Sequence, residues 1–429
     1  MGNGMVRRCV RLVSTGLLAI VTALAFAADY DQEIETLAGH DEIQIALSVI
    51  DETSDEALDW LVEINEIPAP PFKEDVRAGY YMQLMRNVGV ADVSIDEEGN
   101  VLARIPGRVG NKTVAVVAHL DTVFPEGTKL LVHRRGNEYC APGIGDNSRG
   151  LVAMLVLAKA IITAEIPLDQ DVLLVGSVGE EGIGNLRGVR HLLRDDGPFI
   201  DEFIAIDGGG ASRMTLVAVG SIRYRLKFKG PGGHSWGAFG RANPAHALAR
   251  AIYYFDEAAS RYVNSDGAKV TYNIGRMGGG TSVNSIPFEN WAEIDMRSVD
   301  PVRLKRIDEL LTAAISRALA EQNELRTLEE ALLVEKEEIG FRPAGETPVD
   351  SPLIQRFIAA MRHHGIEPQL REGSTDSNIA IFQGIPAVTV GGGGSSSNAH
   401  SLNECWVNTP DANLAIKNVL LAVVASASK

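Results

Sequence analysis

TVAVVA, residues 113–118, is a short, uninterrupted apolar run, and it decides the fold class. Comparable runs follow at residues 171–178 (DVLLVGSV), 203–207 (FIAID) and 387–390 (AVTV). Such short runs, rich in valine and isoleucine, are typical of strands that are covered on both faces of a parallel sheet. Helical segments separate them along the chain. This alternation predicts an α/β fold, a mostly parallel-sheet α/β sandwich.

The sequence changes in character near residue 216. Residues 221–229 alternate between apolar and basic side chains, which predicts an antiparallel strand with one solvated face. A helix, two strands and a long charged helix are then predicted at residues 244–258, 270–276, 290–297 and 302–321. This order suits a ferredoxin-like α+β lid domain inserted into the first domain. The predicted division is catalytic domain 29–215 and 342–429, and lid domain 216–341.

Composition excludes one large class of partners. The 429 residues carry a formal net charge of −16. A chain of this length has room for two domains. Because the acidic balance opposes contact with a phosphate backbone, we expect no nucleic-acid partner.

The first 28 residues have the three parts of a secretory signal. Arg7, Arg8 and Arg11 form a basic region, residues 12–27 are apolar or small, and Ala25-Phe-Ala27 resembles a cleavage site. The alternative, an uncleaved membrane anchor, is disfavoured because the apolar run is short for a spanning helix. We therefore expect cleavage near Ala27/Ala28, a secreted or periplasmic protein, and no membrane association afterwards.

Cysteine is sparse in this chain. Cys9 would leave with the signal segment, so the mature protein keeps Cys140 and Cys405. Two cysteines can form one bridge in an oxidising compartment or remain two unrelated buried thiols. The second interpretation is preferred here, although a bridge would join two segments that lie near candidate ligands.

His119 and Asp121 directly follow the run at 113–118. Residues two apart on an extended segment point the same way, so His119 could bind a metal ion while Asp121 orients its other ring nitrogen. An H-x-D sequence also occurs by chance, and it carries little weight alone.

Further ligand-type side chains stand where other strands end or where a helix begins: Asp146, Glu180, Glu181, Asp207 and His400. Each has an ordinary structural explanation, such as a helix cap or a solvated turn. Together they occupy successive strand ends, where α/β proteins place their sites. Histidines and carboxylates in this combination predict two divalent metal ions, zinc first, with cobalt or manganese as alternatives.

Five motifs in this order resemble the M20 family of metallopeptidases and deacylases, most closely its peptidase T-like and carboxypeptidase G2-like members. They are AHLDTV (118–123), APGIGDNSRG (141–150), GEEG (179–182), IDGG (206–209) and AHS (399–401). The resemblance covers nearly all of the chain after the signal segment. It implies a hydrolase that cleaves an amide bond.

The resemblance also implies a role for each candidate residue of the catalytic domain. Asp146 would bridge two ions, Glu181 and His400 would complete one site, and His119 and Asp207 would complete the other. Glu180 would be the general base, and Asp121 would support His119. The peptide bond after the bridging aspartate is often cis in this family, which predicts a cis bond between Asp146 and Asn147.

The lid carries matching segments. In GPGGHSWGAFGRANPAHAL (230–248), His234 would stabilise the oxyanion, often in the site of the neighbouring subunit of a homodimer. In GGGTSVNSIP (278–287), Asn284 stands at a substrate-binding position, and Arg297 stands at a position that binds a substrate carboxylate. The structural alternatives are a loop histidine, a turn residue and a salt-bridged strand residue.

The sequence leaves three hypotheses for the function. An aspartate at the position of Asp207 accompanies aminopeptidases and dipeptidases of the family, which favours a tripeptidase-like enzyme for short peptides. Arg297 would suit any substrate with a free carboxylate, which favours a carboxypeptidase or a deacylase of N-acyl amino acids. A non-catalytic protein that binds metal or peptide is the third, and Glu180 argues against it because a binder needs no general base.

Overall fold

Two sheets of different character build the protein in a computed structural model that describes residues 30–328 and 330–428. The predicted signal segment, residues 1–28, lies outside the described residues. The strands in chain order are β1 (Asp92–Ile95), β2 (Val101–Ile105), β3 (Thr113–His119), β4 (His133–Arg135), β5 (Glu138–Cys140), β6 (Asp171–Ser177), β7 (Glu202–Ile206), β8 (Arg213–Ala218), β9 (Gly220–Lys229), β10 (Gly233–His234), β11 (Val270–Gly279), β12 (Ser285–Ile286), β13 (Glu289–Ser298), β14 (Leu333–Arg342), β15 (Gly345–Glu346), β16 (Gln369–Gly373), β17 (Ala387–Val390), β18 (Ser395–Ser397) and β19 (Cys405–Val407).

The described helices surround these strands. They are α1 (residues 30–38), α2 (Asp41–Glu52), α3 (Ser54–Asn65), α4 (Asp75–Asn87), α5 (Arg149–Thr163), α6 (Arg187–Leu192), α7 (Pro244–Val263), α8 (Pro301–Glu324), α9 (Pro352–His363), α10 (Ser377–Phe382) and α11 (Ala412–Ala427). Within the described residues, none is both long enough and apolar enough to cross a bilayer.

The large sheet has nine strands in the order β1-β2-β6-β3-β7-β17-β8-β15, with β16 paired to β8. Its centre, β6-β3-β7-β17, is parallel, and these are the four apolar runs from which the fold was predicted. Every residue of β3 and β6 is buried, since helices cover both faces. One core lies under α5, α9 and α11, and a smaller one lies under α6 and α10. The predicted α/β sandwich is confirmed.

The lid is a four-stranded antiparallel sheet in the order β11-β13-β9-β14. Helices α7 and α8 cover one face and form a separate core with it. Both helices begin with a proline that follows a capping residue. The side chains of the capping residues, Asn243 and Asp300, accept backbone N–H groups of the first turn. Strand β14 was not predicted. It completes the β-α-β-β-α-β order. Its alternation of apolar and polar residues is hidden because glutamates and a lysine stand at consecutive positions, where they pair with charged side chains of neighbouring elements.

The boundary between the domains lies in paired strands. β8 belongs to the large sheet and runs beyond residue 215 to Ala218, where it pairs with Gly345 of β15. The chain therefore leaves for the lid and returns from it at adjacent points of the same sheet.

A separate small sheet has the order β18-β19-β5-β4. Cys405 of β19 lies opposite Cys140 of β5, and the two form a disulfide with a Cα–Cα distance of 4.0 Å. The preference for two separate thiols was wrong. The sequence does not reveal the pairing, because neither three-residue strand has a pattern that sets its register.

Candidate metal centre

The predicted ligands of the catalytic domain converge at one edge of the large sheet. His119 is the last residue of β3, Asp207 directly follows β7, and Glu180 and Glu181 follow β6 after a short turn. Because β6, β3 and β7 are parallel neighbours, their carboxyl ends meet at this edge. Asp146 reaches the same place from the irregular turn before α5.

Asp146 joins two groups of ligand atoms. Its Oδ1 lies 3.1 Å from Nε2 of His119, and its Oδ2 lies 3.1 Å from Nε2 of His400. That same His400 nitrogen lies 2.9 Å from Oε1 of Glu181. In each group, His119–Asp146–Asp207 and Asp146–Glu181–His400, one ligand atom per residue lies within 4.8 Å of the others. These are the two ligand sets that the resemblance implies.

The charges of this cluster suit divalent cations. No described residue donates a hydrogen bond to the Asp207 carboxylate, and burial together with the charge of Asp146 raises its pKa to about 6. Hydrogen bonds to Asp146 and Glu181 raise the pKa of His400 to about 10. The raised pKa of His400 reflects the carboxylates around it, and that of Asp207 reflects its burial first and the charge of Asp146 second. Imidazole and carboxylate donors in two groups sharing one carboxylate fit a pair of borderline divalent ions.

Asp121 supports the site differently from the prediction. Nδ1 of His119 lies 2.9 Å from the backbone oxygen of Asp121, whereas the nearer carboxylate oxygen is 3.6 Å away. That carboxylate instead accepts the backbone N–H groups of Glu180 at 2.9 Å and of Glu181 at 2.8 Å. Asp121 therefore fixes the imidazole through its carbonyl and the turn of the two glutamates through its side chain.

Glu180 is buried and paired with a cation. Arg342, the last residue of β14, donates to Oε1 of Glu180 at 2.7 Å and also to the Glu180 backbone oxygen. Burial raises the pKa of Glu180 well above its usual value, and the charge of Arg342 opposes that rise. A buried carboxylate with a raised pKa beside a ligand cluster is suited to take up and release a proton. The sequence pattern alone places Arg342 in a linker, where only its position before a proline distinguishes it.

Glu404 is a second residue that the sequence analysis missed. Its carboxylate is fully buried and accepts the backbone N–H of Asp146 at 2.9 Å. The peptide bond between Asp146 and Asn147 is cis, as predicted. Glu404 stands four residues after His400 and directly before β19, so only its nearness to that candidate ligand could have marked it in the sequence.

The lid residues lie apart from this cluster within the described structure. His234 is exposed on β10, and its Nδ1 accepts the backbone N–H of Trp236 at 3.2 Å. Asn284 stands beside it, because its backbone oxygen accepts the N–H of Ser235 at 2.9 Å. No hydrogen bond or ion pair among the described residues joins His234 or Asn284 to the candidate ligands.

Arg297 lies on the open face of the lid sheet. Its Nε donates to Oδ2 of Asp295 at 2.8 Å, and Arg223 donates to the other oxygen at 2.9 Å. Arg223 also reaches the backbone oxygen of Gly182, in the turn after Glu181. The structure thus places Arg297 in an ion pair, and the guanidinium that touches the candidate base is that of Arg342.

A cavity of about 720 Å³ opens beside Asp146 and Asp207. Backbone of two glycine-rich turns lines much of it, and Arg213 and Arg371 supply positive charge. Arg213 also donates to the backbone oxygen of Asp207 at 2.7 Å. This volume lies within the range of small-ligand sites.

The α/β sandwich, its inserted lid and the shared-carboxylate cluster are the features expected of a metal-dependent hydrolase that cleaves C–N bonds. The chain belongs to peptidase family M20/M25/M40, whose family model matches residues 115–425. The predicted resemblance is therefore confirmed.

Proteins of known structure share this fold. The aminopeptidase PepT from Bacillus cereus superposes with a TM-score of 0.67 at 19% identity, covering 87% of this chain and 99% of that one. A tripeptidase from Staphylococcus aureus gives 0.66 at 23% identity, covering 86% and 98%. A candidate LysW-lysine/LysW-ornithine hydrolase of Pyrococcus abyssi is 24% identical over 80% of this chain and 86% of its own.

Proposed function

We propose that the protein is a two-metal aminopeptidase that cleaves short peptides, with zinc as the first choice of ion. One observation carries the proposal: two ligand groups share Asp146, and a buried glutamate adjoins them. Two divalent ions in this cluster would polarise a carbonyl and acidify a water molecule. His119 and Asp207 would hold one ion, and Glu181 and His400 the other.

The residues of the chain supply the proton transfers. Glu180 takes a proton from the attacking water and passes it to the leaving amine, a role for which its burial and raised pKa suit it. Asp121 holds the backbone of Glu180 and Glu181, so the base and a ligand keep a fixed separation. His234 donates a hydrogen bond to the developing oxyanion, and Asn284 binds the substrate beside it.

The substrate assignment rests on Asp207 and on the cavity beside it. A space of about 720 Å³ accommodates a few amino-acid residues but not a folded chain. The second candidate is a carboxypeptidase or a deacylase of N-acyl amino acids. Arg213 and Arg371 favour it, because both line the cavity and guanidinium groups recognise carboxylates.

A homodimer through the lid would bring His234 to a catalytic site. Trp236 and Phe239 flank this histidine and are 87% and 85% exposed. Large aromatic side chains exposed together on a soluble protein are typical of an interaction surface. A second copy of the chain is the proposed partner, because His234 makes no contact with the ligand cluster of its own chain.

Secretion or export to the periplasm completes the proposal. The Cys140–Cys405 disulfide supports it, since such bonds persist in oxidising compartments and are rare in the cytosol.

Three peptide classes tested on one preparation would decide between the candidates. Tripeptides with a free N-terminus, the same peptides acetylated, and N-acyl amino acids are assayed after chelation and after addition of zinc, cobalt or manganese. The proposal expects metal-restored cleavage of free tripeptides only. Cleavage of the acetylated peptides or of the N-acyl amino acids, with or without cleavage of the free tripeptides, would replace it with the second candidate.

The Glu180→Gln variant separates an enzyme from a binding protein. We expect it to retain metal and lose about 10²- to 10⁴-fold in kcat, because it lacks a group that accepts the proton. Unchanged turnover would exclude Glu180 as the base.

A further inference from the structure

Two loops that carry candidate ligands emerge from the same small sheet. Strand β5 ends at Cys140 and leads to Asp146, and strand β19 begins at Cys405 just after the loop with His400. Their pairing places Cys140 opposite Cys405, where the disulfide joins them. The two loops therefore start from one covalent link.

Glu404, the residue directly before Cys405, binds the other loop. Its Oε2 accepts the backbone N–H of Gly143 at 3.0 Å, and its Oε1 accepts those of Gly145 at 2.8 Å and Asp146 at 2.9 Å. No lysine, arginine or histidine forms an ion pair with Glu404 among the described residues. Three backbone N–H groups thus take the place of a cation around a fully buried carboxylate.

The loop before α5 has little freedom to move away from Glu404. Gly143 has a φ of 82°, and a Cβ added to Gly145 would lie 2.5 Å from Oγ of Ser396. The loop backbone is consequently fitted between Glu404 and β18. A shift of Glu404 would move the backbone of Asp146 directly, because that backbone N–H is one of its three donors.

We infer that Glu404 is the positioning residue for Asp146 and that the Cys140–Cys405 disulfide holds Glu404 in place, so that metal affinity depends on the disulfide. The inference rests on the proposed metal centre. Neighbours that orient metal ligands change metal affinity by about 10- to 100-fold when they are replaced. Because Asp146 belongs to both ligand groups, displacement of its carboxylate weakens both ion sites together.

The experiment measures zinc affinity of the full-length protein by competition with a chromophoric chelator. The arms are the oxidised wild type, the wild type reduced with a phosphine, Glu404→Gln, and Cys140→Ser/Cys405→Ser with and without the phosphine. Asn137→Ala is the matched control, because it removes a 3.1 Å hydrogen bond to Asn408 beside the same small sheet and leaves Glu404 untouched. The melting temperature of each metal-free form is recorded.

We expect zinc affinity to fall about 10- to 100-fold in Glu404→Gln and in the reduced wild type. An amide in place of the Glu404 carboxylate would set a donor against backbone donors, and reduction would release Glu404 without changing its charge. The double serine variant should bind zinc weakly and ignore the phosphine, and Asn137→Ala should bind normally. A purely structural role would lower the metal-free melting temperature and leave affinity unchanged.

Wild-type affinity in Glu404→Gln would overturn the inference and leave the proposed function standing. Wild-type affinity after complete reduction would overturn the part assigned to the disulfide. If Glu404→Gln does not fold, the reduced wild type still tests the inference, because reduction releases Glu404 without a substitution. If the oxidised wild type binds no divalent ion, the proposed function and this inference fall together.

Discussion

Arg342 reaches from the last position of a lid strand to the buried carboxylate of Glu180, 2.7 Å from Nη1 to Oε1. The same Nη1 donates to Oγ of Ser374 at 3.1 Å, in the wall of the cavity beside Asp207. One guanidinium thus touches the candidate base and a cavity-lining serine, and it lies where the chain returns from the lid.

The ion pair between Arg342 and Glu180 can be measured as a coupling free energy. Arg342→Met leaves a buried carboxylate without a cation, which should destabilise the metal-free protein by about 3 kcal/mol. Arg342→Met/Glu180→Gln should recover a large part of this loss, because no charge remains unpaired. Urea unfolding of the wild type, Arg342→Met, Glu180→Gln and the double variant gives the coupling free energy. Additive losses would show that the pair contributes nothing specific.

Metal stoichiometry tests the sharing of Asp146. The wild type should bind two zinc ions per chain, and Asp207→Asn should bind about one. Asp146→Asn should bind no zinc ion as tightly as the wild type does, because only Asp146 serves both groups. Elemental analysis after gel filtration gives the counts. Retention of one tight ion by Asp146→Asn would show that the two groups do not share it. Asn137→Ala, which lies outside both ligand groups, is the control.

Complementation tests whether His234 acts in the neighbouring subunit. His234→Ala and Glu180→Gln should each be nearly inactive. Mixing them in equal amounts and allowing exchange should restore roughly one quarter of wild-type activity, since half of the dimers are mixed and one of their two sites is intact. Trp236→Glu should prevent both dimerisation and this recovery, which light scattering and the same assay would record. No recovery from fully exchanged mixed dimers would show that His234 does not act in the site of the neighbouring subunit.

The pH dependence of stability tests the lid ion pairs around Asp295. Burial opposes ionisation, but hydrogen bonds from Arg297 and Arg223 lower the pKa of Asp295. Because the folded pKa lies below the unfolded value near 4, its stabilisation is present above about pH 4 and is lost as the pH falls through the folded pKa. Asp295→Asn should therefore cost about 1 kcal/mol at neutral pH, since the side chain is partly exposed, and less in acid.

Unfolding by urea at about pH 7, 4.5 and 3 follows this change. Glu309→Gln, which removes an exposed helical pair with Arg306, should change stability little at any pH. A cost of Asp295→Asn that stays constant across the series would contradict the assignment.

The sequence predicts most of this centre because ligand and strand signals coincide. His119, Glu180, Glu181 and Asp207 stand at the ends of apolar runs, and topology alone brings such ends together. The resemblance adds the sharing of Asp146. By contrast, the contacts of Asp121 depend on which of its oxygens faces the imidazole, and a sequence pattern does not contain that choice.

Residues that act through long-range pairing are not predictable in the same way. Cys140 and Cys405 meet because two three-residue strands pair across a sequence separation of 265. Strand β14 has too many charged side chains to show an apolar face, so its pattern does not mark Arg342 as a strand residue. Glu404 belongs to the same loop as His400, but its three partners become visible only when the loop before α5 is in place.

The strand order of the large sheet sets a schedule for synthesis of the chain. Strand β17 lies between β7 and β8 in space, yet the ribosome makes it only after the entire lid. The lid is a contiguous segment with its own core, so it can fold while the large sheet still has an open gap. His119, Asp146 and Asp207 are already present at that stage, whereas His400 emerges near the end. These three ligands are thus synthesised early, but Asp146 gains its contact with Glu404, and the centre gains His400, only once nearly all of the chain has been made.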